Sequence, residues 1–164
     1  MKTTLLKQLS LACLVGFSGM ALAASNDFVD AAAQGGITEI ESSKLALEKS
    51  NDADVKQFAN QMIEDHRKAN EELMALASKL GLDVPDEASL MAKAKEMILE
   101  IRDESFDEAY ANNQVMAHEQ TVELFKKEAD SSDNAELKAF AQKTLPKLEH
   151  HLEMARQLQS QKAQ

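Results

Sequence analysis

Residues 40–60 and residues 122–142 align without a gap at an offset of 82, IESSKLALEKSNDADVKQFAN against VELFKKEADSSDNAELKAFAQ. Seven of the 21 positions are identical: Glu41/Glu123, Lys44/Lys126, Ser50/Ser132, Ala53/Ala135, Lys56/Lys138, Phe58/Phe140 and Ala59/Ala141. Others keep their chemical type, such as Val55/Leu137 and Asp54/Glu136. Each copy reads as a helix end, a short polar turn and the start of the next helix. Helical hairpins share composition, but composition alone does not hold register through a turn. The repeat therefore predicts two similar αα-hairpins, joined by a long connector over residues 81–103.

The apolar spacing agrees. Val55, Phe58, Ala59, Met62, His66, Ala69, Leu73, Leu76, Ala77 and Leu80 mark one helix face over residues 55–80. Asp52 is a suitable N-cap and Gly81 a suitable stop. Residues 136–159 repeat the pattern through Leu137, Ala141, Thr144, Leu148, His151, Ala155 and Leu158. Residues 104–130 do so through Ala111, Val115, His118, Val122, Phe125 and Ala129, widened by Phe106, Tyr110, Ala117 and Leu124. A further helix, looser around Gly35-Gly36, occupies residues 27–50, and a polar link marked by Pro85 leads to a shorter one near 87–101. No window alternates with period two, and five Gly and two Pro are too few for a turn-rich β sandwich. The expected fold is all-α: a ferritin-like four-helix bundle of two αα-hairpins with a long helical crossover.

The first 23 residues read differently. Lys2 and Lys7 form a basic start, Leu9 to Met20 an apolar run, and Ala21-Leu22-Ala23 a small-x-small cleavage site. That is the pattern of a secretory signal peptide. The run falls short of the ~20 apolar residues that span a bilayer. Lipid attachment at Cys13 is discounted, because Ser10 stands where a Leu-like residue is needed. Residues 24–164 then form one domain, expected in the periplasm, without a membrane span. Cys13 is the sole cysteine and leaves with the leader, so a disulfide framework and a Cys-based zinc site are both excluded. Losing Lys2 and Lys7 takes the formal charge from -10 to -12. Such an acidic chain lacks the clustered Lys and Arg that nucleic-acid phosphates require.

Histidines carry the candidate chemistry. His66, His118 and His151 lie on apolar stripes of three different helices, whereas His150 falls beside Lys143, Lys147 and Met154 on a wetter face. Counted from the hairpin turns at Asp52 and Asp133, the three lie about 21, 22 and 27 Å along their helices at 1.5 Å per residue, which is mid-bundle. Glu39 sits at the same level on a face of small residues, Ala32, Gly35, Ser42 and Ala46, that leaves room beside it. Asp65 neighbours His66 and is expected to orient it, and Tyr110 is expected to hydrogen-bond within the core in support. Neutral imidazoles with a carboxylate suit zinc, copper or iron, and nickel as well. Glu39, His66, His118 and His151 are therefore the expected metal ligands. The same residues also suit a buried His–carboxylate hydrogen-bond network that sets helix register and binds nothing.

Other features carry less. The methionines are scattered and read as core filling. Pro146 lies inside the fourth long helix, where it removes a backbone bond and is expected to kink it. Nothing resembles a nucleophile elbow. No histidine has a Glu three residues before it, so the Glu-x-x-His pattern of di-iron bundles is absent, and with it the basis for a ferroxidase or iron-storage reading.

FVDAAAQGGITEIESSKLA, VKQFANQMIEDHRKAN, FDEAYANNQVMAHEQTVELF and LKAFAQKTLPKLEHHLEMA together resemble the domain-of-unknown-function 4142 family, over residues 28–158. The matching positions are Gly35, Gly36, Glu39, Asp65, His66, Phe106, Asp107, Tyr110, His118, Pro146 and His151. The resemblance implies a ferritin-like bundle in the cell envelope and no established reaction. Three functions stay open: a non-enzymatic metal binder or envelope-stress protein, a structural or interaction protein, and a metal-dependent redox enzyme.

Overall fold

The computed structural model describes residues 18–83, 86–98 and 106–163, and these are all-helical, without strands. Five helices follow one another: α1 (Ser18–Lys49), α2 (Ala53–Leu80), α3 (Glu87–Ile98), α4 (Phe106–Ser131) and α5 (Ala135–Lys162). Most of the expected leader, residues 1–17, lies outside the described residues, as do Pro85 and residues 99–105 of the connector. The backbone of α1 starts at Ser18 rather than near residue 27. The reason is local: Met20-Ala21-Leu22-Ala23-Ala24 is a run of strong helix formers with nothing to stop it.

The sequence repeat is a repeat of structure. Asp52 caps α2, its carboxylate accepting from the backbone N–H groups of Asp54 (2.9 Å) and Val55 (3.1 Å). Asn134, its equivalent at the offset of 82, caps α5 by accepting from Glu136 (3.0 Å) and Leu137 (3.1 Å). Behind each cap a serine hydroxyl accepts from the cap residue's own N–H, Ser50 at 3.0 Å and Ser132 at 3.3 Å. Both turns thus satisfy the orphan donors of a helix start with the same side-chain types at the same positions. Gly81 closes α2 in the left-handed conformation at φ 66°, and its N–H and that of Leu82 reach back to the carbonyls of Ser78 and Ala77.

Within each hairpin α1 packs on α2 and α4 on α5; between hairpins α1 packs on α4 and α2 on α5, and α3 lies along α1. Repeat-equivalent helices are therefore neighbours. Asp65 and Lys147, equivalent at the offset of 82, face each other across α2 and α5 in an ion pair of 2.5 Å.

The apolar core is divided in two. One part gathers Phe28, Val29, Leu73, Phe125, Leu137, Phe140 and Leu148 with their neighbours. The other gathers Val55, Phe58, Met62, Tyr110, Val115 and Leu158. Along every long helix, a stretch of buried polar residues separates the two: Glu39, Ser42 and Ser43 on α1, Asp65 and His66 on α2, Gln114 and His118 on α4, and His151 on α5. The repeat diverges here. Phe28 packs edge-on against Phe125 at 5.2 Å between ring centres. At the equivalent positions, Tyr110 shares a 2.9 Å hydrogen bond with Ser43. One half keeps an apolar contact where the other has a polar one.

Gly36 makes a close approach: a Cβ there would fall 2.1 Å from Oδ1 of Asn70. Pro146 does not interrupt α5, which runs unbroken from Ala135 to Lys162. The ring sits on an exposed face, where water can take the carbonyl that a proline leaves without its N–H partner.

Candidate metal centre

His66, His118 and His151 meet in the polar layer. Their ring centres stand 5.6, 5.4 and 5.5 Å apart pairwise, close to an equilateral triangle. One ring nitrogen of each lies within 4.8 Å of those of the other two. The side chains are 5%, 1% and 2% exposed, so no bulk water competes for their lone pairs. The spacing of three and four that put each histidine on an apolar stripe aims it at the axis. Each lies near the middle of its helix, 14 residues from the Asp52 turn for His66 and 15 and 18 from the Asp133 turn for His118 and His151, which brings the three to one level.

Hydrogen bonds on the outer side of the triangle select the tautomers. His118 Nδ1 lies 2.9 Å from the backbone carbonyl of Gln114, one turn earlier on α4. A carbonyl only accepts, so Nδ1 carries a proton, and Nε2 is the nitrogen left without a partner. His151 Nε2 lies 3.0 Å from Oδ2 of Asp65. Burial pushes the Asp65 carboxyl up, but hydrogen bonds from Lys147, Gln61 and His151 outweigh it and hold the group at about 2. Asp65 is thus a carboxylate that accepts from His151 Nε2–H, and His151 Nδ1 keeps the lone pair. Three buried ring nitrogens are left without a hydrogen-bond partner: Nε2 of His66, Nε2 of His118 and Nδ1 of His151.

Burial also favours the neutral form of two of the rings. Burial drives His66 well below the ordinary histidine range, and its neighbours His118 and His151 lower it further. Burial brings His151 down to about 4, although its hydrogen bond to Asp65 pulls the other way. Neutral imidazole is the form that binds a metal. On a tetrahedral ion with bonds of 2.0–2.1 Å, ligand nitrogens stand about 3.3 Å apart. The rings therefore need to close in by at most about 1.5 Å to meet such an ion.

Glu39 is buried in the same layer but is not one of the three converging groups. Burial raises its carboxyl above the ordinary range, opposed by the charge of His118 and a hydrogen bond from the Gln114 side chain. Its Oε2 has no hydrogen-bond partner. Asp65 supports His151 rather than His66, whose neighbour it is in sequence. Tyr110 lies one helical turn from Gln114, stacked on Phe106 at 6.1 Å, and burial raises its hydroxyl above the ordinary range. His150 is exposed on the wet face, as its neighbours implied.

Two contributors escaped the sequence reading. Gln114 is fully buried, and its side chain links Ser42 (3.4 Å) and Glu39 while its carbonyl orients His118. The signal was there: a Gln four residues before His118 on an otherwise apolar stripe. Lys147, read as a marker of the wet face, holds Asp65 at 2.5 Å. Extending the repeat by five residues past Gln142 makes Lys147 the equivalent of Asp65, but equivalence alone does not place the two in contact.

The model of one protein family, described as "Domain of unknown function (DUF4142)", matches residues 17–158. No curated protein matches the chain, and no solved structure does.

Proposed function

This chain belongs to the DUF4142 family, and we propose that it is an exported, ferritin-like helical bundle whose three-histidine centre holds one transition-metal ion in the periplasm. The observation that carries this reading is the set of three buried, converging imidazoles, each with an unpartnered ring nitrogen, from three separate helices. A buried polar atom without a partner costs about 1–3 kcal/mol, and three of the five such atoms in this layer are these ring nitrogens. An ion would satisfy all three at once. The outer hydrogen bonds of His118 and His151 are those that orient metal-binding imidazoles and raise their basicity. An all-nitrogen donor set without thiolate suits zinc, copper or iron. Binding rather than turnover is the function this geometry supports, since it needs only the three ligands.

The test starts from the full gene, without a histidine tag, expressed in a Gram-negative host. The protein is recovered from the periplasm, its N-terminus sequenced and its metals measured by elemental mass spectrometry. About one metal per chain is expected with an N-terminus at Ala24, and no metal in His66→Ala or His151→Ala. A metal-free protein with no thermal shift in zinc, copper or iron would leave the histidines as a buried hydrogen-bond network.

A further inference from the structure

Two opposite charges stand behind one ring of the triangle. Asp65 Oδ2 accepts from His151 Nε2–H at 3.0 Å, and Asp65 Oδ1 holds the Lys147 ammonium at 2.5 Å. The Asp65 side chain is 6% exposed and that of Lys147 51%. The carboxylate therefore lies inside the layer, and the ammonium covers it from the solvent side. Gln61 Nε2 also donates to Asp65 Oδ2, so the carboxylate keeps two hydrogen-bond donors besides Lys147.

Both charges reach the candidate ligands. Beyond the effect of burial, Asp65 raises and Lys147 lowers the proton affinity of both His66 and His151. A metal ion among the rings has the same sign as that proton and feels the same two fields. The carboxylate attracts it, the ammonium repels it, and the pair has no net charge. A metal-binding imidazole is neutral and adds none. The energy of an ion in such a field scales with its own charge, so a doubly charged ion loses twice as much to Lys147 as a singly charged one. Coordination number points the same way. Among the described residues, no fourth His, Cys, Asp or Glu brings a ligand atom into the group. Zinc is almost always four-coordinate, whereas copper(I) is stable with three nitrogens.

We propose that Lys147 is a selectivity residue of the three-histidine centre: by offsetting the charge of Asp65 it biases the centre towards a singly charged ion, copper(I), and against divalent zinc, iron or copper. This rests on the metal-binding reading above. Lys147 touches no ion and acts on it across space and through Asp65.

The test uses metal-free protein expressed from the full gene without a histidine tag. Zinc affinity is measured by competition with a chromophoric chelator, and copper(I) affinity likewise under anaerobic, reducing conditions. The readout is the ratio of zinc to copper(I) affinity, in which a loss of packing or ring orientation common to both ions cancels. Lys147→Met is expected to tighten copper(I) on the order of tenfold and zinc on the order of a hundredfold, so the ratio rises about tenfold. Lys147→Arg keeps the charge and is expected to keep the native ratio. Asp65→Asn is expected to lower the ratio about tenfold, and Asp65→Asn combined with Lys147→Met to restore it. These last two decide the matter if Lys147→Met, with its uncompensated carboxylate, does not fold. A ratio that stays constant across the variants, or moves in the opposite direction, would overturn the proposal. Lys147 would then be only the structural partner of Asp65, with the metal reading intact. Native protein that binds neither copper, zinc nor iron would instead remove the reading beneath it.

Discussion

At the scale of single residues, the site depends on which atom each side chain turns inward. Asp65 is the lever: it accepts a hydrogen bond from His151 Nε2–H and so leaves Nδ1 for an ion. Asp65→Asn is expected to weaken metal binding by about 10–100-fold, as loss of a ligand-orienting carboxylate commonly does. Competition against a chromophoric chelator would measure it, and unchanged affinity would mean that Asp65 serves only Lys147. Tyr110 makes a different point. Tyr110→Phe restores the ring found at its repeat-equivalent, Phe28, but leaves the buried Ser43 hydroxyl without its 2.9 Å partner. The expected cost is about 1 kcal/mol in a urea titration. The presence of histidines on three stripes could be read from spacing. Their tautomers could not, because a tautomer depends on what lies behind the ring, here a carbonyl of α4 and a carboxylate of α2.

At the scale of elements, the two hairpin turns act as one device used twice. Asp52→Ala and Asn134→Ala are each expected to cost about 1 kcal/mol, since each removes a side chain that caps two backbone donors. The caps begin helices whose first turns enter different halves of the divided core, Val55 in one and Leu137 in the other. Their costs should therefore add in the double variant to within about 0.5 kcal/mol, which equilibrium denaturation of the three proteins would check. Asp52 also holds a half-buried ion pair with Lys162 at the end of α5, which Asp52→Ala removes along with the cap. The Asp52 cap was legible in the sequence, because capping is set by residues within four positions of the helix start, whereas the Lys162 pair and the division of the core were not. The start of α1 and the unbroken course of α5 through Pro146 were less legible, because helix limits depend on whether neighbours and solvent tolerate the local exception.

At the scale of the molecule, two apolar cores enclose a polar layer that must stay neutral or paired. His66 and His151 bind protons less readily folded than unfolded. Above pH 6.5 neither state is protonated, and they impose no penalty. As the pH falls below 6.5 the unfolded chain takes up protons that the folded layer refuses, so stability drops. For His151 the loss continues until about pH 4 and amounts to about 3 kcal/mol at 1.36 kcal/mol per unit. Asp65, held at about 2, adds a further loss between pH 3.8 and 2. Glu39 has the opposite sign: its raised folded value favours the native state as pH falls towards 4.5. Thermal denaturation of the metal-free protein should therefore show a falling melting temperature from pH 6.5 to 4. A double replacement of His66 and His151 by Leu should flatten that slope. An unchanged slope would place the acid sensitivity elsewhere.

The chain's own order of residues determined the helices, the hairpins, their caps and the common level of the three histidines. These follow from a 3.6-residue period, a 1.5 Å rise and side chains that act within one turn. Only the tertiary structure decided that Asp65 serves His151 rather than His66, and that Lys147 comes from the opposite hairpin to hold it. It also decided that Glu39 stands beside the triangle rather than in it, and that Asn70 lies over Gly36. Each of those outcomes depends on the rotation of one helix against another and on the rotamer its neighbours leave open. Such quantities are set by packing between residues as much as 86 positions apart, and no local pattern encodes them.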